Sequence, residues 1–195
     1  MNKVEPIRSI KKIKAMFHYL KGSDKTGRNA LLFRLGINSA LRISDLLELR
    51  YNDIFHGNYR FKEYIRIREF KTNKWKQFKP PEKVRPMLKS YAKKHKLKKE
   101  DYIFFSFRSG KSVSIDRTNT WRIISSAAKI VGIQNFGTHS LRKTFGYHYY
   151  KNTKDIATLM KVFNHGSQNI TLRYIGIEQE NLDKVYIDVE EYYNL

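Results

Sequence analysis

Residues 27 to 37 form the segment that most constrains how this chain can fold. Their spacing is typical of a helix, and nearly every position is apolar. The apolar side chains in this segment include Ala30, Leu31, Leu32, Phe33 and Leu35. A helix with so little polar surface has to be covered by other elements. With 195 residues, the chain is long enough to supply them, and we expect one domain over residues 1–195.

Most of the remaining chain is also predicted to be helical. Apolar residues recur three and four positions apart, and polar caps or glycines mark where such segments begin or end. The further helices are predicted at residues 7–20, from Ser44-Asp45 onward, and at 84–95, 116–131, 140–150, 155–163, 169–175 and 179–192. The apolar residues expected on the buried side of the first of these are Ile7, Ile10, Ile13, Phe17 and Leu20.

Between residues 58 and 79 the pattern changes from helical spacing to alternation. Ile65 and Ile67 alternate with two arginines, and a turn-like segment at residues 71–74 follows. This pattern predicts an antiparallel β-hairpin or small sheet. The expected fold class is therefore α+β and mostly helical. The apolar segment at residues 102–106 gives no clear indication of its type.

The charge of the chain indicates the kind of partner. Lysine and arginine number 39 against 18 acidic residues, a net charge of +21. An excess of this size needs a polyanion or many counterions, so we expect a nucleic acid partner. Membrane-surface and ribosomal proteins share this property, and the lysines between residues 93 and 99 are typical of a solvated helix face. The 14% aromatic content argues against a disordered basic tail.

The composition also excludes several classes of site. The chain has no cysteine, so disulfides, thiolate zinc sites and cysteine nucleophiles are excluded. Its six histidines are scattered without an HxxxH or HExxH pattern, and we expect no metal and no other cofactor. There is no apolar run of about 18 residues and no secretory signal pattern, so we expect a cytoplasmic protein with no membrane association.

Five short motifs carry the residues that indicate a function. These residues are Arg42 in ALRISD, Lys71 in the predicted hairpin, His139 and Arg142 in HSLR, His165 in NHGS, and Tyr174 nine positions later. In order and spacing they resemble the active-site signature of the tyrosine recombinases, the phage integrase family, over essentially the whole chain. The resemblance implies the catalytic domain of a site-specific DNA recombinase or integrase of a mobile element. Such an enzyme cleaves and rejoins strands through a 3′-phosphotyrosyl intermediate, without metal or ATP.

The resemblance also implies what each residue does. Tyr174 would attack the phosphate, and its phenol, with an ordinary pKa of about 10, needs positive charge nearby to favour the phenolate. Arg42 and Arg142 would stabilise the charge on the non-bridging oxygens, because a guanidinium offers a planar pair of donors. His139 and His165 would donate further hydrogen bonds, and His139 would assist in removing the tyrosine proton.

Two assignments leave alternatives open. Lys71 would protonate the 5′-oxygen that leaves, but Lys74 in the same turn is an alternative. Asp45 either forms a surface ion pair with Arg42 or orients Arg42 or Arg142.

The other tyrosines and histidines are expected to have structural or surface roles. Three tyrosines share the predicted helix of Arg142, where packing in the core or against DNA is expected: Tyr147, Tyr149 and Tyr150. Three more lie in the C-terminal segment with no histidine at a suitable distance: Tyr186, Tyr192 and Tyr193. The histidines outside the signature are His18, His56, His95 and His148.

The chain departs from the family pattern at three places. Family members usually carry a helical DNA-gripping domain before this one, and we expect that domain to be absent because about six residues precede the first helix. Ala40 replaces the usual glycine before Leu41-Arg42, and Phe163-Asn164 replaces Leu-Gly before His165. Both replacements are expected to be tolerated.

The C-terminal segment, residues 178–195, is acidic and apolar, unlike the basic body. It is expected either to pack back on its own domain or to dock on a neighbouring copy, which would link a homotetramer on synapsed double-stranded DNA sites.

Two other functions fit parts of the pattern. A type IB topoisomerase-like enzyme would use a similar residue set to nick and reseal one strand, but the C-terminal segment favours recombination. A non-catalytic DNA-binding relative would keep the fold, although the intact signature argues against it. A metal-dependent nuclease is disfavoured because no carboxylate cluster accompanies the histidines.

Overall fold

The computed structural model describes residues 4–193, apart from the side chain of Gln179, so both ends of the predicted domain lie outside the described residues. The helices in this part are α1 (Ile10–Ser23), α2 (Arg28–Ser39), α3 (Ile43–Leu47), α4 (Tyr51–Ile54), α5 (Arg85–Lys94), α6 (Arg117–Ile130), α7 (Ser140–Thr153), α8 (Ile156–Phe163), α9 (Gln168–Ile175) and α10 (Ile177–Tyr193). The strands are β1 (Phe55–His56), β2 (Arg60–Phe61), β3 (Ile65–Arg68), β4 (Trp75–Phe78), β5 (Phe105–Ser106) and β6 (Gly110–Ser114). The mostly helical α+β class is confirmed.

Helix α2 lies at the centre, as the apolar segment predicts. It contacts α1, α3, α5, α6 and α7. Five of its apolar side chains are at most 1% exposed: Ala30, Leu31, Leu32, Phe33 and Leu35. Because they pack on several sides, they form the centre of the larger of two apolar clusters.

The second apolar cluster is formed mainly between α7, α8 and α9, beside the candidate site. Its buried members are Ala40, Tyr147, Leu159, Phe163, Ile175 and Ile177. Gly146 on α7 allows α8 and α9 to come close, because a Cβ at this position would lie 2.7 Å from atoms of both Phe163 and Ile175. Helix α7 also packs on α2 and therefore joins the two clusters.

Polar caps set the starts of several helices. Side-chain oxygens of Ser9, Asp116, Asp155 and Ser167 accept backbone N–H groups in the first turns of α1, α6, α8 and α9. Helix α1 therefore begins at Ile10 and not at Ile7 as predicted. Ile7 is nevertheless buried, and its N–H donates to Thr144 Oγ1 at 2.8 Å, whereas Ile10 is exposed.

The predicted hairpin is present as β3 and β4. Ile65 pairs with Phe78 and Arg68 pairs with Trp75, and the connection runs from Glu69 to Lys74. The other two sheets, β1–β2 and β5–β6, were not predicted. Their shortest strands have only two residues, too few to produce an alternating pattern.

Helix α10 is two residues longer at its start than predicted, and most of it is open to solvent. Its first turn is held by Glu180, which forms ion pairs with Arg8 at 2.6 Å and with Lys151 at 2.9 Å. The large apolar side chains beyond that turn are 46–85% exposed: Leu182, Val185, Tyr186, Ile187, Val189, Tyr192 and Tyr193. Packing back on its own domain is therefore limited to the first turn. Within residues 4–193, no helix has the length and apolar character needed to cross a membrane.

The close packing at Gly146 predicts that a side chain at this position would destabilise the protein. Gly146→Ala should lower the free energy of unfolding by about 1–3 kcal/mol, because the new methyl group overlaps Phe163 and Ile175. Gly22→Ala is the matched control on α1, where nothing lies within 4 Å, and it should raise stability by about 0.5–1 kcal/mol. Urea unfolding of both variants measures the difference, and equal midpoints would contradict the packing described here.

Candidate active site

Arg142 occupies the centre of the candidate site and is almost completely buried. Its Nη1 donates to the carbonyl of Ala40 at 2.7 Å, and its Nη2 donates to the carbonyl of Phe163 at 3.1 Å. The guanidinium also lies over the Phe163 ring, 4.7 Å from its centroid. These contacts tie α7 to the ends of α2 and α8 and hold the guanidinium in one place.

Glu69 connects Arg142 to the second arginine, and the sequence analysis did not identify it. The Glu69 carboxylate is buried, 2.8 Å from Arg42 Nη1 and 3.7 Å from Arg142 Nη1. Burial alone would raise the pKa of Glu69, but hydrogen bonds from Thr72 and Arg42 outweigh it and lower that pKa. The carboxylate therefore stays charged and balances part of the two positive charges.

Asp45 supports the same arginine from the other side. Its buried carboxylate lies 3.8 Å from Arg42 and accepts the N–H of Phe70 at 2.9 Å. The surface ion pair considered from the sequence is therefore wrong, because the Asp45 side chain is fully buried. Asp45 contacts both Arg42 and the start of the β3–β4 turn.

Tyr174 lies on α9, with its hydroxyl facing this cluster. The hydroxyl is 3.4 Å from His139 Nδ1, and the His165 ring centroid lies 5.1 Å from the Tyr174 ring centroid. Burial raises the pKa of Tyr174, while the charges of Arg142 and Arg42 and a hydrogen bond from Arg142 oppose that rise. The phenol is therefore neutral in the free protein.

Both histidines of the motifs have lowered pKa values. Desolvation is the largest cause for each, and the charges of Arg142 and Arg42 add to it. His139 is further affected by Lys71. His165 is oriented by Thr171, whose Oγ1 lies 3.1 Å from His165 Nδ1. Neutral imidazoles can accept a proton or donate one hydrogen bond each.

Lys71 lies on the exposed turn between β3 and β4. Its charge reaches His139, where it contributes to the lowered pKa. Lys74, the alternative, lies in the same turn, and its carbonyl accepts the N–H of Glu69 at 2.9 Å. The influence on His139 favours Lys71 as the lysine that faces the site.

Lys76 is a second residue that the sequence analysis missed. It lies on the inner side of β4, and its Nζ is 3.2 Å from the carbonyls of both Ala40 and Val162. Burial, followed by the charge of Arg142, lowers the pKa of Lys76 to about 8. The signal was present in the alternation, since Lys76 and Phe78 fall on the same side of the strand.

The other candidate aromatic residues stay apart from this cluster. Tyr147 is buried in the second apolar cluster, and its hydroxyl faces Glu180 at 3.4 Å. His148 and His95 contact backbone carbonyls, those of Ile7 and Thr26, at 2.9 Å each.

The six residues of the motifs thus form one cationic site around a phenol. Arg42, Arg142, His139, His165 and Tyr174 are joined by contacts or by mutual electrostatic effects, and Lys71 lies at the margin. Such an arrangement can bind an oxyanion and stabilise charge that develops on it. Among the described residues, no three imidazole or carboxylate groups cluster as metal ligands would.

Comparisons with known proteins identify the family of the chain. The model of the phage integrase family matches residues 9–181. The probable integrase/recombinase YoeC of Bacillus subtilis (strain 168) is 41% identical over 186 residues, which cover 95% of this chain and 97% of that protein. The tyrosine recombinase XerC of Thermodesulfovibrio yellowstonii is 27% identical over 168 residues, which cover 82% of this chain and 53% of that protein.

A solved structure shows the same fold. The XerH site-specific recombinase bound to palindromic difH substrate, in a post-cleavage complex, superposes with a TM-score of 0.72 at 18% identity. The match covers 95% of this chain and 53% of that one, so this chain spans about half the length of XerC and XerH. The family match and the YoeC identity together show that the chain belongs to the phage integrase family, the tyrosine recombinases.

Proposed function

We propose that this protein cleaves and rejoins DNA through a 3′-phosphotyrosyl link formed by Tyr174. The observation that carries the proposal is the contact between the Tyr174 hydroxyl and His139 Nδ1, 3.4 Å apart, beside the Arg42–Arg142 pair. A nucleophile, a proton acceptor and two fixed positive charges are thus present on one surface of a protein with a net charge of +21. Double-stranded DNA is the substrate.

The arginines stabilise the attacked phosphate. Addition of the phenol oxygen places extra negative charge on the non-bridging oxygens, and fixed donors aimed at that charge lower the barrier. Arg42 and Arg142 provide these donors, since both guanidiniums are held by buried partners. His165 donates a further hydrogen bond. This stabilisation needs neither a metal ion nor ATP.

Proton transfers accompany the exchange of bonds. His139 is neutral and accepts the phenol proton as the Tyr174 oxygen bonds to phosphorus. The bond between phosphorus and the 5′-oxygen then breaks, and Lys71 donates a proton to that oxygen. A 5′-hydroxyl on the same or another strand reverses the step: its proton returns to Lys71, its oxygen bonds to phosphorus, and Tyr174 leaves and regains its proton from His139. The phosphotyrosyl bond conserves the linkage, so no energy source is required.

Recombination requires several copies, and α10 is suited to connect them. Beyond its first turn this helix has no cover from its own domain, although it carries seven large apolar side chains. Its acidic character complements the basic body of a neighbouring copy. We propose a homotetramer on two synapsed sites, joined by α10. The same exposed helix favours recombination over the topoisomerase-like alternative, which acts without partner exchange.

Trapping of a covalent adduct tests the reaction. DNA selected by the protein from a random duplex pool is nicked close to the cleavage position, so that the short fragment carrying the newly freed 5′-hydroxyl diffuses away and the adduct accumulates. With EDTA and no ATP, the protein should form a denaturation-resistant adduct, and Tyr174→Phe should form none. Tyr19→Phe is the matched control on α1 and should keep full adduct yield, because Tyr19 is 37% exposed on a helix that carries none of the site residues. An adduct that persists in Tyr174→Phe would overturn the assignment.

The protonation states can be read directly. In the DNA-free protein, His139 and His165 should both titrate below the ordinary value of about 6.5, because desolvation and the two arginines disfavour the imidazolium. Duplex DNA should raise both midpoints, since a bound phosphate offsets the arginine charges. NMR titration, assigned with His139→Gln and His165→Gln, measures them. A midpoint at or above 6.5 without DNA would contradict the neutral state assumed for proton transfer.

The role of α10 is tested by assembly on DNA. Val185→Asp places a charge on the apolar side of the helix and should reduce the four-chain complex on two-site DNA to smaller species, as light scattering would show. Asn181→Asp adds the same charge at a polar, exposed position and should leave assembly unchanged. Both variants should keep their unfolding free energy within about 0.5 kcal/mol, because both positions are exposed. Four chains retained with Val185→Asp would exclude this interface.

A further inference from the structure

Lys76 is a partly buried cation that the proposed reaction does not use. Its Nζ donates to two backbone carbonyls, Ala40 and Val162, at 3.2 Å each. No carboxylate contacts it directly, so the two carbonyls are what compensate its burial. A lysine is seldom buried unless its charge is satisfied in this way.

The carbonyls that Lys76 contacts belong to the segments that hold Arg142. Ala40 ends α2, and its carbonyl accepts from both Lys76 and Arg142 Nη1. Val162 precedes Phe163 at the end of α8, and the Phe163 carbonyl accepts Arg142 Nη2. Lys76 therefore attaches strand β4 to the two helix ends between which Arg142 is fixed.

The β3–β4 turn is consequently fastened on both sides. On the β3 side, Glu69 contacts Arg42 at 2.8 Å, and the Phe70 N–H donates to Asp45. On the β4 side, the attachment is Lys76. Lys71 lies between these two attachments, on a turn whose own residues are mostly exposed. Without Lys76, only the β3 side would hold the turn against the arginine cluster.

We propose that Lys76 is a positioning residue that holds the β3–β4 turn so that Lys71 can reach the leaving 5′-oxygen. The inference rests on the proposed reaction, in which Lys71 is the proton donor. It distinguishes two lysines five positions apart by their surroundings. Lys71 is exposed and meets the substrate, whereas Lys76 is partly buried against two backbone carbonyls and acts through the turn.

Because Lys76 is charged, its hold on the β3–β4 turn should depend on pH. Above its pKa of about 8 the ammonium loses its proton, and the charge-assisted bonds to Ala40 and Val162 weaken. The charged groups that face Lys76 are Glu69, Asp45, Arg42 and Arg142. Positioning of the turn should therefore be complete below pH 8 and decline above it.

A sulfur substitution in the DNA distinguishes a role in placing the proton donor from a role in stabilising the phosphate or the fold. When the bridging 5′-oxygen is replaced by sulfur, the leaving thiolate needs no proton, so a defect in the proton donor or its placement disappears. Lys76→Met keeps the length and apolar stem of the side chain. On the ordinary nicked duplex it should form adduct about 10–100-fold more slowly, because misplacing the donor forfeits only part of the roughly 10²–10⁴-fold that general acid catalysis contributes. On the bridging-sulfur duplex its rate should return to that of the unaltered protein.

Three controls accompany this measurement. Lys79→Met, at an exposed position just beyond β4, should match the unaltered protein on both duplexes. Lys76→Arg retains a cation and should recover part of the oxygen rate, with its pH decline shifted upward because a guanidinium stays charged. Unfolding curves identify any variant that fails to fold. If Lys76→Met is unfolded, Lys76→Arg takes its place, and its rate of adduct formation on the bridging-sulfur duplex is divided by its rate on the ordinary duplex.

Each outcome of this experiment either supports or overturns the positioning role of Lys76. A sulfur-to-oxygen rate ratio that rises in the Lys76 variant supports the inference. An equal loss of rate on both duplexes would mean that Lys76 supports Arg142 or the folded structure and not the proton donor, which would overturn the inference. Full activity of Lys76→Met on the ordinary duplex would also overturn it. If the unaltered protein forms no adduct with either duplex, the proposed reaction itself fails, and the inference fails with it.

Discussion

The site depends on one buried carboxylate between two guanidiniums. Glu69 lies 2.8 Å from Arg42 and 3.7 Å from Arg142, so it reduces the repulsion that two like charges would otherwise experience. Removing only the carboxylate would leave two cations in a partly desolvated region, which is strongly unfavourable. Glu69 and Asp45 together face three cations, Arg42, Arg142 and Lys76, so the cluster keeps a net positive charge. Asp45 adds a second restraint at Arg42.

Helix ends complete this electrostatic arrangement. Helices α2 and α8 both end beside Arg142, and the free carbonyls at a helix C-terminus carry partial negative charge. Ala40 and Asn164 form these ends with φ of 55° and 56°, the left-handed region that glycine favours. This accounts for the glycines that the family pattern has at both positions. Asparagine adopts this conformation readily, whereas an alanine there costs about 1 kcal/mol.

The sequence predicted the parts of this structure that rest on local patterns. Helix α2, helix α6 with its Asp116 cap and the β3–β4 hairpin follow from periodicity and capping. Glu69 and Lys76 were not predicted as parts of the site, because each gains its role from residues distant in the chain: Arg142 for Glu69, and Val162 for Lys76. The start of α1 was misplaced for a similar reason. Ile7 is buried by contacts with α7. Its apolar character fitted the helical spacing and could not show that the residue lies before the helix.

The protonation states of the free protein suit the proposed reaction, in which the site becomes active on binding DNA. Without DNA, Tyr174 is a neutral phenol with a raised pKa, and His139 is a neutral imidazole with a lowered one. A phosphodiester placed against the arginines adds negative charge near His139 and makes the imidazole a stronger base. The same negative charge opposes a free phenolate, so proton transfer has to accompany attack on phosphorus. The 3.4 Å separation between the Tyr174 hydroxyl and His139 Nδ1 is short enough for that coupling once the two groups tighten around substrate.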